Sequence, residues 1–227
     1  MAIELNGYPF DEYRTEVEES HEEIGGRDTR TFQIRGMLDG FATLNALRTE
    51  LDNLLAAAST EAAVPFSLRS GRRFQVRRTA FTRSVARDAL AVSFSLKLEA
   101  REMFEEASVE TAVEWTVTAP DQEQALTTTG NAPAPLRITL VAGAGLTVPG
   151  FHDGERGISY SGTVASGQTL VFDGAARKVM LDGTDVTPYT EGDFPRVDPA
   201  GTTLTCTTNP SGGHNAAVTA AHHARWW

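Results

Sequence analysis

The chain has 227 residues, 41% apolar and 22% charged, with a net charge of -10. That composition excludes a disordered or collagen-like chain and leaves room for one large domain or two small ones. The acid excess disfavours non-specific nucleic-acid binding, no unbroken apolar run reaches the ~18 residues a membrane helix needs, and one cysteine, Cys206, excludes an internal disulfide.

The start, Met1 to Phe10, lacks the basic-then-apolar order of a secretory leader, and the lone thiol fits assembly in a reducing cytoplasm. From Met1 to Ile24 the charge is one-sided, with eight acids (Glu4, Asp11, Glu12, Glu16, Glu18, Glu19, Glu22, Glu23) against Arg14 alone. Thr31–Arg35 alternates, with Phe32 and Ile34 on one side, as in a half-buried strand. A helix is expected over about residues 40–58. Asp39 is its candidate N-cap, and Phe41, Leu44, Leu47, Leu51, Leu54 and Leu55 recur at spacings of three and four before Val64-Pro65 stops the pattern.

Strand patterning resumes at Pro65–Arg69, turns at Ser70-Gly71 and returns through Arg72–Arg78. This region holds seven arginines (Arg69, Arg72, Arg73, Arg77, Arg78, Arg83, Arg87) and no acid from Phe66 to Arg87. Opposite-signed segments on one chain suit a head-to-tail contact between copies, and Glu16, Glu18 and Glu19 against Arg72, Arg73, Arg77 and Arg78 are the candidate contacts. Pairing within one subunit, or two separately solvated faces, explains the same pattern. Leu90–Leu98 is the clearest strand, with Leu90, Val92, Phe94, Leu96 and Leu98 sharing one face. Val109–Thr118 is a further strand.

The Thr-, Gly-, Asn- and Pro-rich stretch from Ala119 to Pro135 reads as a long connection, which places a boundary near residue 120. Beyond it come short strands and tight turns: Leu136–Val141, Gly157–Tyr160, Gln168–Phe172, Arg177–Leu181, Thr203–Thr207 and Ala216 onward. Asp173-Gly174 and Asp182-Gly183 supply hairpin signals, and strands so spaced imply a β-sandwich. The expected fold is therefore mainly β: an N-terminal β-rich, split-barrel-like domain (residues 1–120) with one packed α-helix, then a β-sandwich (residues 121–227).

The second half carries a resemblance. Thr129–Leu140, Ile158–Asp173, Val179–Val186 and Gly192–Thr205 together resemble the galectin-like C-terminal domain of the phage distal tail protein family. The pattern is a Gly before a Pro-led strand, a strand entered after Gly167-Gln-Thr-Leu170, a hairpin tipped by Asp182-Gly183, then Phe194-Pro-Arg-Val-Asp-Pro. Ala200 departs from it by separating Pro199 from Gly201. Arg30–Gly36 and the following helix resemble, more loosely, the family's ring-forming domain. The resemblance implies a structural virion component without cofactor: a distal tail protein, present as a hexameric ring or hub between tail tube and tail tip or baseplate, offering attachment for fibres or receptor-binding proteins. The implied partners are copies of itself, the tail tube protein, the tail-tip hub and fibre proteins. The implied location is the virion tail, assembled in the host cytoplasm. No membrane contact or nucleic-acid binding is read from the sequence, although the channel of a ring would pass DNA.

The remaining polar residues complete no catalytic constellation. Glu110 with Glu114, and Glu105 with Glu106, are carboxylate pairs of the kind glycosidases use, but a solvated strand face explains them. His152-Asp153-Gly-Glu155 has metal-ligand chemistry without a second cluster to complete a site. His222 and His223 fall on opposite strand faces and are expected at a surface or interface. Ser159 lacks a nucleophile elbow, and Cys206 is expected to pack as a small apolar side chain. Trp115, Trp226 and Trp227 are expected in the core or at an interface, with a carbohydrate-binding module in host-surface recognition as the rival function if they stack on sugars.

Overall fold

The computed structural model describes residues 3–11, 14–24, 27–86, 90–100, 102–208 and 214–227. Glu12 and Arg87, counted above among the charged residues, lie outside them. The chain divides into two compact units, Met1–Ser108 with Trp227, and Val109–Trp226.

The first unit contains β1 (Ile3–Leu5), β2 (Tyr8–Phe10), β3 (Thr15–Ile24), β4 (Arg27–Leu38), α1 (Leu44–Ala57), β5 (Val64–Arg69), β6 (Arg72–Ala86), β7 (Ala91–Ala100) and β8 (Glu105–Ala107). The strands line up as β2-β1-β5-β6-β7-β4-β3, with β8 beside the start of β6. Alternation explains the core: Phe32, Ile34, Phe66, Phe74, Val76, Leu96 and Leu98 all point to one side and are at most 1% exposed. The opposite face is polar. Ser20 bonds Thr31 at 2.7 Å, and the Gln33 amide donates to Ser95 at 2.6 Å.

Between β6 and β7 the register shifts across Arg78–Ala80, which leaves Thr79 as a β-bulge. Before it Phe74 and Val76 face the core; after it Phe81, Arg83 and Val85 take that side of the sheet, opposite Leu96, Phe94 and Val92. β5 pairs with β6 only as far as Val76. The Arg78 N–H still donates to the Ser59 carbonyl, and the last eight residues of β6, Thr79–Ala86, have β7 on one side and, among the described strands, a free edge on the other.

The helix begins later than the apolar spacing suggested. Its N-cap is Thr43, not Asp39: Thr43 is extended (φ -144, ψ 154) and its Oγ1 accepts the Ala46 N–H at 3.2 Å. Asp39 instead pairs with Arg14, and Gly40 turns the chain at a φ of +78°. The stripe is buried as its spacing requires, Leu54 against the main core and Leu47 and Leu51 against Val92, but Leu44 stays 38% exposed.

The second unit contains β9 (Thr111–Val117), β10 (Gln122–Leu126), β11 (Ala134–Pro135), β12 (Arg137–Ala142), β13 (Leu146–Thr147), β14 (Gly150–His152), β15 (Gly157–Tyr160), β16 (Thr163–Val164), β17 (Thr169–Asp173) and β18 (Lys178–Leu181). It continues with β19 (Thr184–Asp185), β20 (Thr190–Gly192), β21 (Arg196–Val197), β22 (Thr202–Thr207), β23 (Ala216–His222) and β24 (Arg225–Trp226). One sheet runs β10-β22-β14-β15-β20 and the other β19-β18-β17-β12-β23-β9. Their inner residues, among them Ile138, Leu140, Phe151, Phe172, Leu204, Cys206 and Val218, form one core, with Phe151 and Phe172 packed edge to face.

The boundary falls at Ser108 and Val109 rather than near residue 120. The reason is pairing: β9 is an edge strand of the second unit, hydrogen-bonded along β23 from Thr111 opposite His222 to Val117 opposite Ala216. The stretch expected as a long connection holds β10, which pairs with β22. Asp182-Gly183 forms the expected two-residue hairpin, both residues at positive φ (48° and 82°). Asp173-Gly174 instead opens a longer loop that Asp173 closes by accepting the Ala176 N–H at 2.8 Å.

Candidate subunit interface

The acidic N-terminal segment becomes β3, the outermost strand of its sheet. Pleating sends Glu16 and Glu18 to the polar face, opposite Arg35 and Gln33, and Val17 and Glu19 to the core face, opposite Ile34 and Phe32. Glu18 pairs with Arg35 at 3.4 Å, both well exposed. Glu19 pairs with Arg30, whose guanidinium also sits 4.6 Å above the Phe74 ring and donates to the Met103 carbonyl at 3.1 Å. Only β4 pairs with β3, so its outer backbone groups have no strand partner among the described residues.

The arginine-rich segment spans β5 and β6, and most of its candidate contacts are engaged inside the unit. Arg72 reaches Glu105 at 3.3 Å, Arg73 reaches Glu106 at 3.0 Å and Arg77 reaches Glu99 at 3.4 Å. Gln75 adds a second bond to Glu106 at 2.8 Å. The partners are acids of β7 and β8, not of the acidic N-terminal segment. Arg78 is half-buried beside the bulge, and its backbone N–H donates to the Ser59 carbonyl at 2.8 Å. Arg83, further along β6, is exposed, and among the described residues no ion pair holds it.

Arg83 lies at a groove of about 220 Å³ between α1 and the end of β6, lined by Leu44, Leu47, Arg48, Leu51, Val85 and Val92. Leu44 and Val85 leave 38% and 46% of their surfaces exposed there. The sheet order, with consecutive strands antiparallel, places β6 and β3 on opposite sides of a four-stranded stretch and running in opposite directions. One molecule thus presents a basic free edge and an acidic free edge. Patterning signalled the charges; it did not signal that β6 runs on past Arg78 to Ala86, because Thr82, Arg83 and Ser84 lack apolar alternation.

The polar groups singled out in the second unit are structural. Asp153 accepts the backbone N–H groups of Arg156 (2.7 Å), Glu155 (3.0 Å) and Arg196 (3.0 Å), and so fastens two loops. Burial acts to raise its pKa, yet these three bonds and Arg156 hold it below the ordinary carboxylate value. Among the described residues no group of three or more His, Cys, Asp or Glu is placed to hold a metal. Cys206 is fully buried, and burial, aided by Asp121, pushes its thiol up to about 12. His222, expected at a surface or interface, is only 4% exposed. Trp115 packs against the sandwich core, while Trp227 is 70% exposed with its ring 4.4 Å from Phe104.

This is a two-unit, mainly β protein. Residues 129–226 match the family described as siphovirus-type tail component, C-terminal domain. The SPP1 phage Dit protein, solved as a paradigm of the hub adsorption apparatus in phages infecting Gram-positive hosts, shares the fold. Its TM-score is 0.65 at 15% identity, covering 100% of this chain and 99% of that one. No curated protein matches. Residues 129–226 thus match the C-terminal domain of a phage tail component, as the resemblance over Thr129–Thr205 implied, and the whole chain shares the fold of a phage Dit protein.

Proposed function

We propose that the first unit closes into a ring by repeating one head-to-tail contact, and that the ring is hexameric and sits as a hub between the tail tube and the tail tip or baseplate. The carrying observation is the pair of free strand edges, acidic β3 and basic outer β6, on opposite sides of one sheet. A heterologous contact between unlike edges closes into a ring where its rotation closes around an axis. Edge-to-edge addition satisfies the exposed backbone groups, and unlike charge favours the head-to-tail pairing over like edges meeting. Because β3 runs opposite to β6, the β3 of one copy continues the next copy's sheet antiparallel. Glu16 and Glu18 then approach the neighbour's β6, with Arg77 and Arg78 flanking the seam; Arg72 and Arg73 serve the unit's own packing. The second unit, a galectin-like sandwich, offers attachment for fibres or receptor-binding proteins. Trp115, partly buried against the sandwich core, offers less of its ring for the sugar stacking that the carbohydrate-binding alternative gives it.

Negative-stain images and mass measurement of the purified chain test this. Six-fold rings that dissociate as salt rises are the expected result. A monomer at every concentration, with no ring in images, overturns it.

A further inference from the structure

We infer that the groove between α1 and the end of β6 is the seat for the core-facing side of a second copy's β3, in a fixed register. The inference rests on the ring reading above and adds which side chains meet.

The groove has an apolar floor, Leu47, Leu51 and Val92, and two arginines, Arg48 and Arg83, that no ion pair holds among the described residues. A fitting occupant carries an apolar side chain and an acid on one face of an extended strand. β3 does: Val17 and Glu19 share its core face and are two residues apart.

Pleat and side-chain match select the register. The free edge of β6 runs from Thr79 to Ala86, and the ten-residue β3, antiparallel, covers it with Glu16–Glu23 opposite and Thr15 and Ile24 beyond its two ends. In that alignment Val17 lies opposite Val85 and Glu19 opposite Arg83, while Glu18 meets Ser84 on the polar face. A shift of two residues sets Val17 against Arg83 and Glu19 against Phe81, an acid against a ring. A shift of one turns Val17 and Glu19 to the polar face and is excluded by the pleat. Glu19 then lies between Arg30 of its own unit and Arg83 of the neighbour. Arg48, from the first half of α1, lines the same groove and adds positive charge to it.

The test is cysteine cross-linking of the full chain. Val17→Cys with Val85→Cys, mildly oxidised, is expected to give a covalent ladder of oligomers. Val17→Cys with Ser84→Cys, whose side chains leave opposite faces, is expected to give none. Cys206 is buried and silent in both. Arg83→Glu, an exposed substitution that spares the core, is expected to raise the concentration needed for half-assembly about tenfold or more at low salt. Rings in images without the Val17–Val85 ladder, or with Arg83→Glu assembling as before, overturn the groove and leave the ring standing. Monomers throughout overturn both.

Discussion

The Glu105 carboxylate, its side chain only 3% exposed, lies 3.0 Å from Nε of Arg69. Arg72 reaches its other oxygen at 3.3 Å, so one buried acid gathers two arginines, of which Arg72 was a candidate contact to a neighbouring subunit. Glu105→Gln removes the charge and keeps the shape. Both arginines are partly exposed and recover water, so the expected loss is about 1–2 kcal/mol, less than for a fully buried pair. Urea unfolding followed by a probe in the first unit measures it; an unchanged midpoint would show the cluster to be ornamental.

Thr43 caps α1 through its hydroxyl. Thr43→Ala is expected to destabilise the first unit by about 1 kcal/mol, and Asp39→Ala to leave helix content unchanged because Asp39 does not cap. Circular dichroism and thermal melts separate the two, and equal effects from both would return the cap to Asp39.

Stability should fall in mild acid through His222. Burial is the main cause that lowers its pKa below the ordinary 6.5; His223 lowers it further and Glu110 opposes. Its Nε2 is buried without a hydrogen bond among the described residues. A base with a depressed folded pKa stays neutral in the fold, while the unfolded chain takes up its proton first. The contribution is thus complete above the unfolded value of 6.5 and is lost as pH falls below it. His222→Gln is expected to flatten the pH dependence of the second unit's melting just below neutrality. A slope identical to that of the parent chain would remove His222 as its source.

Gly192 holds a φ of +102°, and a Cβ there would run into the Gly157 carbonyl oxygen. Gly192→Ala should therefore cost the second unit about 2–3 kcal/mol, from backbone strain and the forced opening of β15 from β20. Gly183→Ala, at a φ of +82° with open space around it, should cost about 1 kcal/mol. Calorimetry distinguishes them, and equal losses would mean that the close approach to Gly157 is relieved at no expense.

Strands with one apolar face were legible in the sequence: Phe32 with Ile34, and Val92 through Leu98, lie where alternation put them. Asn6-Gly7 was an equally legible hairpin signal that was not used; it turns β1 into β2 with both residues at positive φ. The unit boundary was not legible, because Val113, Trp115 and Val117 mark β9 as a half-buried strand without saying which sheet buries it. That assignment depends on β23, about a hundred residues away. The arginines misled for a similar reason. Charge counting sees Arg72 and Arg73 but not that β8 brings Glu105 and Glu106 beside them. The groove was least legible of all, since Arg83 and Arg48 meet only through the fold.

Thr79 carries more weight than its small side chain suggests. As the surplus residue in its strand it is looped out of the ladder: taken into regular pairing opposite Lys97 instead, it would turn Thr82 and Ser84 to the helix side while Arg83 and Val85 swung out among the hydroxyls. Absorbing that one residue in a bulge preserves the sidedness of the rest of the strand without altering any residue on it.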